Sequence, residues 1–244
     1  MKNTVDILGV GFSPLGVESS AEYILNLAET DGLNYVFTPN SEIVMAATKD
    51  KEFENILNSA DLLTADGIGI IYASKILKTP ISQRASGYDI SLKLMEKMVP
   101  LKKTLYLFGA APGVAEKAKE NLEKKFPGII ISGLHDGYFD AQEEKRIIED
   151  INLKKPDVLF VCLGSPKQEK WIFQHKDKLS VKVAMGLGGC LDVYAGNVKR
   201  APDIFIKLGL EWFYRLMKEP KRFFRMLALP KFMLKVIWHK LTGK

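Results

Sequence analysis

The chain has 244 residues, a hydrophobic content of 47% and a formal net charge of +6. This composition fits one sizeable folded core with or without a small appendage, and it excludes an intrinsically disordered protein. Two cysteines and three scattered histidines exclude a disulfide framework and offer no paired-cysteine metal motif. No apolar segment indicates a signal peptide or a membrane-spanning helix, so we expect a chain of the reducing cytosol.

Short apolar runs bounded by turn residues alternate with helical patterns along the chain. The predicted strands cover residues 35–38, 104–108, 128–131, 157–163 and 181–187. The predicted helices cover residues 41–57, 68–77, 88–98, 113–125, 141–153 and 166–178. This alternation indicates an α/β fold with a mostly parallel, Rossmann-like sheet and helices on both faces.

The regularity of this pattern predicts the domain organisation. Residues 1–198 form an α/β core, in which a smaller N-terminal lobe (1–100) packs on the regular lobe (101–198) with a cleft between them. Residues 199–244 form a helical appendage, which Pro220 and Pro230 divide into three short helices, because proline inside a helix costs about 3 kcal/mol.

The basic excess of the chain is confined to that appendage. Residues 199–244 contain twelve Lys and Arg against three Asp and Glu, a net charge of +9, so residues 1–198 carry a net charge of −3. Such asymmetry predicts contact with nucleic acid or acidic lipid. The predicted second and third helices place aromatic and aliphatic side chains beside the charges, which favours helices at a membrane interface, with core packing as the alternative.

The segment 164–169, with the sequence GSPKQE, follows an apolar run and is the most informative part of the chain. The pattern predicts Ser165 as helix N-cap, Pro166 as first helical residue and Gln168 as capping-box partner. The amides of that helix start, with Lys167 and Gln168, then lie at the carboxyl edge of a sheet, where open α/β folds bind phosphates. The alternative is a turn that only caps its helix.

Three further residues lie at or just after the ends of short apolar stretches, residues 35–38 and 62–63. Asp66 precedes Gly67 in a turn and can point into a cleft, although an Asp-Gly pair is also a common turn or helix cap. Thr38 and Asn40 can bind the hydroxyl and amide groups of a ligand, or Asn40 can cap the following helix.

The remaining candidates fit a bound nucleotide. Gly109 begins a glycine-containing turn between a strand and a helix, a geometry that brings a nucleotide close to the backbone. Tyr138 can stack on a base, and Asp192 can accept hydrogen bonds from a ribose or base. A half-buried aromatic residue and a turn cap are the alternatives for these two.

Six segments in chain order resemble those of the WecG/TagA/CpsF family of bacterial glycosyltransferases. They are 38–42 (TPNSE), 65–67 (ADG), 107–110 (LFGA), 137–139 (GYF), 164–169 (GSPKQE) and 192–202 (DVYAGNVKRAP). The resemblance implies an inverting transfer of N-acetylmannosamine from UDP-ManNAc to undecaprenyl-diphosphate-linked N-acetylglucosamine, as in the linkage unit of wall teichoic acid. Other donors in the family, such as a UDP-linked uronic acid or UDP-glucose, remain alternatives.

The resemblance also implies roles for individual residues. It places Asp66 in the active site as the general base, favours sugar binding by Thr38 and Asn40, and makes 101–198 the nucleotide-binding lobe.

The sequence contains no Asp-x-Asp motif, so we expect a reaction without metal or other cofactor, in which cations neutralise the departing diphosphate. Arg84 is the leading cation of the core. Arg215, Arg222 and Arg225 are the candidates in the appendage.

The expected partners are the UDP-sugar donor, the prenyl-linked acceptor and an anionic membrane surface. We expect a cytoplasmic protein that binds peripherally to the inner face of the cell membrane. A nucleic-acid-binding α/β protein is the competing class, although no nucleic-acid motif is present. A Rossmann oxidoreductase is a third class, but the sequence lacks the glycine fingerprint of those enzymes. The oligomeric state, a homo-oligomer included, is left open.

Overall fold

The computed structural model describes residues 4–218 and 227–243. The strands in these ranges are β1 (Val5–Ile7), β2 (Val10–Phe12), β3 (Asn34–Phe37), β4 (Leu62–Leu63), β5 (Thr104–Gly109), β6 (Ile130–His135), β7 (Val158–Cys162) and β8 (Val183–Gly186). The helices are α1 (Val17–Leu27), α2 (Ser41–Ala47), α3 (Lys51–Asn58), α4 (Ile68–Ile76), α5 (Gly87–Met98), α6 (Val114–Lys125), α7 (Ala141–Lys154), α8 (Lys167–His175), α9 (Cys190–Tyr194), α10 (Asp203–Lys207), α11 (Glu211–Lys218) and α12 (Ala228–Thr242).

Six parallel strands form the main sheet in the order β4-β3-β8-β7-β5-β6, and β1 and β2 form a separate antiparallel hairpin. The predicted α/β fold with a parallel sheet is therefore confirmed. The chain runs outward from β5 to β6 in one direction and from β7 to β8 in the other, so the sheet reverses between β5 and β7. Ligands of open α/β sheets bind outside the carboxyl ends of strands at such a reversal.

Helices cover both faces of this sheet, and alternation along the strands supplies both cores. Leu105 and Leu107 of β5 belong to one buried cluster, whereas Tyr106 and Phe108 belong to the other. Successive side chains of a strand point to opposite faces, so one strand contributes to both. β3 and β4 lie in the same sheet as β5 to β8, and the division of the core into two lobes stays a prediction.

Several element boundaries differ from the sequence-based prediction. The predicted helix 41–57 consists of two helices, because Asp50 starts α3 with its Oδ1 accepting from Phe53 N at 3.0 Å. The predicted strand 128–131 is β6, which begins at Ile130 because Gly128 has a φ of +93° and belongs to a turn. The hairpin β1–β2 and helix α1 were not predicted.

The appendage combines core packing with exposure. Phe232 and Val236 of α12 are fully buried in one of the two hydrophobic clusters, whereas Leu234, Trp238 and Leu241 are exposed. The alternative of core packing is therefore correct for the first two side chains. No helix in the described part of the chain is long and apolar enough to cross a bilayer.

The predicted bend at Pro230 is wrong. Pro230 lies in the first turn of α12, where a backbone N–H has no intrahelical partner and proline is tolerated. Pro220 and most of the predicted second helix, residues 221–229, lie outside the described residues.

Candidate active site

The first group of candidate residues lies at the carboxyl ends of β3 and β4. Thr38 and Asn40 follow β3, and Asp66 follows β4. Main-chain hydrogen bonds join Asp66 N to Pro39 O at 3.3 Å and Ala85 N to Ala65 O at 3.0 Å. The loops that carry Thr38, Asn40, Asp66 and the neighbouring Arg84 are therefore tied together at one edge of the sheet.

Arg84 lies at the centre of this group and faces carboxylates from three parts of the chain. Its Nη2 is 2.8 Å from Glu211 Oε2 and 3.7 Å from Asp89 Oδ2, and its Nε is 3.8 Å from Asp66 Oδ1. The exposed fraction of the side chain is 17% for Arg84, 11% for Glu211 and 31% for Asp66. Asp66 therefore presents part of its carboxylate to solvent beside a largely buried cation.

Electrostatics keep this cation charged. Burial alone would lower the pKa of Arg84, but the carboxylates of Asp66 and Glu211 outweigh it and raise the pKa above its ordinary value. A second cation lies nearby, since Arg200 Nη2 is 2.7 Å from Asp89 Oδ1. The guanidinium of Arg200 also stacks 4.6 Å from the ring centre of Tyr88.

Thr38 and Asn40 are brought to the same edge but make different contacts. Asn40 caps α2, with its Oδ1 accepting from Glu42 N at 2.9 Å and Ile43 N at 3.1 Å. This cap, one of the two roles open from sequence, leaves the amide nitrogen as the donor group toward a ligand. Thr38 Oγ1 lies 3.5 Å from Gly186 O, at the end of β8.

The predicted capping box of Ser165 and Gln168 is wrong. Helix α8 has Pro166 at its N-cap position and no side-chain capping bond. Gln168 is buried, its Oε1 accepts from Gly188 N at 2.8 Å, and its Nε2 donates to Glu169 Oε1 at 2.9 Å. The Gln168 amide is thus directed at the turn after β8, and it cannot also cap its own helix.

The orientation of the Gln168 amide depends on the buried carboxyl group of Glu169. Glu169 is 1% exposed, and burial raises the pKa of its carboxyl group above the ordinary value. Gly186 allows Gln168 to approach, because a Cβ at position 186 would lie 2.9 Å from Gln168 Nε2. The residues Gln168, Glu169, Gly186 and Gly188 therefore form one packed unit between β7 and β8.

A second group of candidates lies at the carboxyl ends of β5 and β7, where the sheet reverses. Gly109 has a φ of +132°, and a Cβ there would clash with the carbonyl of Cys162, so this strand end requires glycine. Gly137 N donates to Ala110 O at 2.8 Å, which holds the loop after β6 against the loop after β5. Tyr138 in that loop is exposed.

Lys167 and Ser165 extend this second group, and Asp192 lies beside it. Lys167 Nζ donates to Gly137 O at 3.2 Å and lies 4.4 Å from the ring centre of Phe139. Ser165 is in the turn between β7 and α8, and Asp192 is half-buried in the first turn of α9, after β8. The predicted nucleotide-binding residues therefore occupy strand ends, turns and helix starts that follow β5, β6, β7 and β8.

Of the three candidate arginines in the appendage, the structure describes only the backbone position of Arg215. Arg215 lies in α11, four residues after Glu211, and its side chain is outside the description. Arg222 and Arg225 lie outside the described residues. The contribution of these arginines stays a prediction.

Three charged residues around Arg84 were missed from sequence. The position of Asp89 could have been predicted, because a serine followed three residues later by an acidic residue is typical of a helix start. Ser86 and Asp89 form the N-terminal cap of α5, with Ser86 Oγ accepting from Asp89 N at 3.2 Å. Arg200 lies in the family-like segment 192–202 but was not singled out there, and Glu211 had no local signal, because it is one charge in a mixed segment. Among the described residues, no group of three or more His, Cys, Asp or Glu is arranged to hold a metal ion.

Comparison with known proteins gives matches over most of the chain. The model of the glycosyl transferase WecG/TagA/CpsF family matches residues 5–244. The N-acetylglucosaminyldiphosphoundecaprenol N-acetyl-beta-D-mannosaminyltransferase of Bacillus spizizenii is 40% identical over 206 residues, which cover 84% of this chain and 79% of the relative. The protein of the same name from Staphylococcus aureus (strain MRSA252) is 38% identical over 234 residues, which cover 95% of this chain and 91% of the relative.

Proposed function

Because the chain belongs to the WecG/TagA/CpsF family of glycosyltransferases, we propose that it transfers N-acetylmannosamine from UDP-ManNAc to undecaprenyl-diphosphate-linked N-acetylglucosamine. The names of the two relatives support this acceptor and this sugar. The product is the linkage unit on which wall teichoic acid is built. A UDP-linked uronic acid and UDP-glucose are the alternative donors within the same family.

The contact between Asp66 and Arg84 is the observation that carries this proposal. Asp66 takes the proton of the acceptor hydroxyl, while the acceptor oxygen forms a bond to C1 of the donor sugar. The bond between C1 and the diphosphate oxygen breaks, and UDP leaves with the electron pair. A single displacement of this kind inverts the configuration at C1, and proton removal by a placed carboxylate contributes about 10²- to 10⁴-fold to the rate.

The donor nucleotide fits the edge between β5 and β7. The sheet reverses there, and the glycine at position 109 keeps the strand end free of a side chain. Tyr138 is exposed beside this edge and can stack on the uracil ring. Gln168, held by Gly188 and Glu169, connects this edge to the end of β8 beside Thr38.

Cationic side chains replace a metal ion in this mechanism. Arg84 is largely buried and charged, and guanidinium groups stabilise anionic phosphate oxygens strongly where water is scarce. Glu211 of the appendage occupies one edge of that guanidinium, with Oε2 2.8 Å from Nη2. The diphosphate competes with Glu211 for Arg84, and Arg215, Arg222 and Arg225 supply further positive charge from the appendage.

The appendage is also the part of the molecule that meets the membrane, on the cytoplasmic side. Trp238, Leu234 and Leu241 are exposed on α12 in a segment with a net charge of +9. Exposed aromatic and aliphatic side chains among lysines favour an interface with anionic lipid. An acceptor that is held by its lipid in the bilayer requires such a peripheral position.

A donor screen tests this proposal. Purified protein with EDTA receives a short-chain prenyl-diphosphate N-acetylglucosamine and, separately, UDP-ManNAc, its uronic acid derivative and UDP-glucose, with the product followed by mass spectrometry. We expect product from UDP-ManNAc. Product from one of the other sugars only would correct the donor, and loss of activity in EDTA that magnesium or manganese restores would contradict the metal-free mechanism.

A further inference from the structure

An apolar cavity of about 510 Å³ lies between the core and the appendage. Ile68 and Tyr72, one turn apart on α4, form its core side, and residues of α11, α12 and the segment between α10 and α11 form the other side. Every described residue that lines it is aliphatic, aromatic, proline or glycine. Its volume falls within the range of about 300–1,000 Å³ that is typical of small-molecule sites.

The cavity begins beside the proposed reaction centre. Ile68 follows Asp66 by two residues, so their Cα atoms are at most about 8 Å apart. On the other side, Leu210 lines the cavity and precedes Glu211, whose carboxylate is 2.8 Å from Arg84. The residues that line the cavity therefore include close neighbours of Asp66 and Glu211 in the chain.

Several lining side chains remain accessible although they are apolar. Tyr72 is 46% exposed and Leu208 is 63% exposed. An apolar ligand that covers such side chains binds favourably, because burying each CH₂ strengthens binding about fourfold.

We propose that this cavity binds the first isoprene units of the acceptor's prenyl chain, next to the diphosphate. This inference rests on the proposed function, since the acceptor is taken to be a prenyl diphosphate. The acceptor's diphosphate is joined directly to a branched hydrocarbon, and the cavity begins at Ile68, two residues after Asp66, which is proposed to contact the hydroxyl of the acceptor sugar. The cavity thereby fixes the position of the diphosphate relative to Asp66, in addition to the contacts of the sugar.

Binding of synthetic prenyl diphosphates without a sugar tests the cavity separately from catalysis. Diphosphates that carry one, two or three isoprene units are titrated calorimetrically into the full-length protein, below their micellar concentrations and without lipid. We expect Kd to fall by about tenfold or more from one unit to two, because each unit adds several apolar carbons. A Kd that does not change with chain length would overturn the proposal.

Two substitutions on the same helix end provide a matched comparison. Leu208→Trp fills the cavity from its rim, whereas Ile204→Trp adds the same side chain one turn earlier, at a position that is 64% exposed and does not line the cavity. We expect Leu208→Trp to abolish the dependence of Kd on chain length and Ile204→Trp to preserve it. Equal behaviour of the two variants would overturn the proposal.

The same ligands distinguish failure of this inference from failure of the proposed function. Tightening of Kd with chain length but no sugar transfer to any prenyl-linked acceptor would uphold the cavity and reject the transferase reaction proposed here. Sugar transfer with an acceptor KM that is independent of prenyl length would uphold the reaction and reject the cavity.

Discussion

The roles proposed for Asp66 and Arg84 place two demands on one site, because a general base would accept a proton beside a cation that stabilises the leaving group. The Asp66 side chain is 31% exposed, and Arg84 Nη2 lies 2.8 Å from Glu211 Oε2. Arg84 thus lies between two carboxylates, those of Asp66 and Glu211, and both help to keep it charged. The proposed base is therefore next to a cation that a second carboxylate also contacts.

The role of Asp66 predicts a specific kinetic defect. Asp66→Asn keeps the size of the side chain but removes the base, so turnover should fall by about 10²-fold or more while UDP binding stays within a few-fold. Steady-state kinetics and UDP titration measure the two quantities. Asp31→Asn, at the opposite edge of the sheet, is the control, and near-normal turnover of a folded Asp66→Asn protein would remove Asp66 from this role.

Glu169 predicts a pH dependence of stability. Burial raises its pKa in the folded protein, so the folded state holds this proton more tightly than the unfolded state, and ionisation destabilises the fold as pH rises above about 4.5. Glu169→Gln keeps the acceptor for Gln168 and removes the titration. Its melting temperature should match wild type near pH 4 and exceed it near pH 8.

The exposed Glu123 gives the control for that titration. Glu123→Gln makes the same substitution on the surface of α6, where the side chain is not buried. A Glu169→Gln protein whose melting temperature differs from wild type by the same amount at both pH values would contradict the account.

At the scale of elements, α12 behaves as part of the core. Phe232 is fully buried against α2 and α4, so Phe232→Ala should lower the free energy of unfolding by about 3–5 kcal/mol. Leu234→Ala, two residues away and exposed, should change it by less than about 0.5 kcal/mol. Chemical denaturation measures both, and equal small effects would mean that α12 does not pack on the core.

The elements that could be predicted are those whose own apolar pattern agrees with the helical and turn patterns on either side. The strands β5, β7 and β8 are short apolar runs between helical patterns, and all were predicted within two residues. The break at Asp50 was missed because the apolar spacing continues across it, and the cap alone separates the helices. The hairpin β1–β2 has strands of three residues, too short for alternation to show.

Those candidate site residues that lie in short, recognisable sequence motifs could be predicted. The structure brings Asp66, Arg84, Thr38 and Asn40 to one edge of the sheet, while the roles assigned to them stay predictions. Glu211 was not predictable, because its contact with Arg84 joins residues 127 positions apart and depends on how the appendage folds back. The role of Gln168 was misjudged for a related reason, since Gly188 N is a long-range partner that competes with a local cap.

For the whole molecule, the distribution of charge predicts how the protein meets a membrane. Lys231 and Lys240 are exposed on α12, and each lysine near an anionic surface contributes about 1 kcal/mol. The double substitution Lys231→Gln with Lys240→Gln should weaken binding to anionic liposomes about 30-fold at low salt.

Co-sedimentation with liposomes measures this binding, and Lys124→Gln with Lys125→Gln on α6 removes the same charge from the core surface as a control. Substitution is cleaner than deletion of residues 199–244, which also removes Phe232 from the core. Equal loss of binding in both double variants would mean that net charge, and not the appendage, determines membrane contact.

The reaction proposed for this protein is a single displacement with Asp66 as the base and no metal ion. The most direct measurement is the anomeric configuration of the sugar in the product, determined by NMR after reaction of UDP-ManNAc with a short-chain prenyl-diphosphate N-acetylglucosamine in EDTA. A single displacement gives a linkage inverted relative to the donor. A linkage with the donor's configuration retained, or no product until a divalent metal is added, would contradict it.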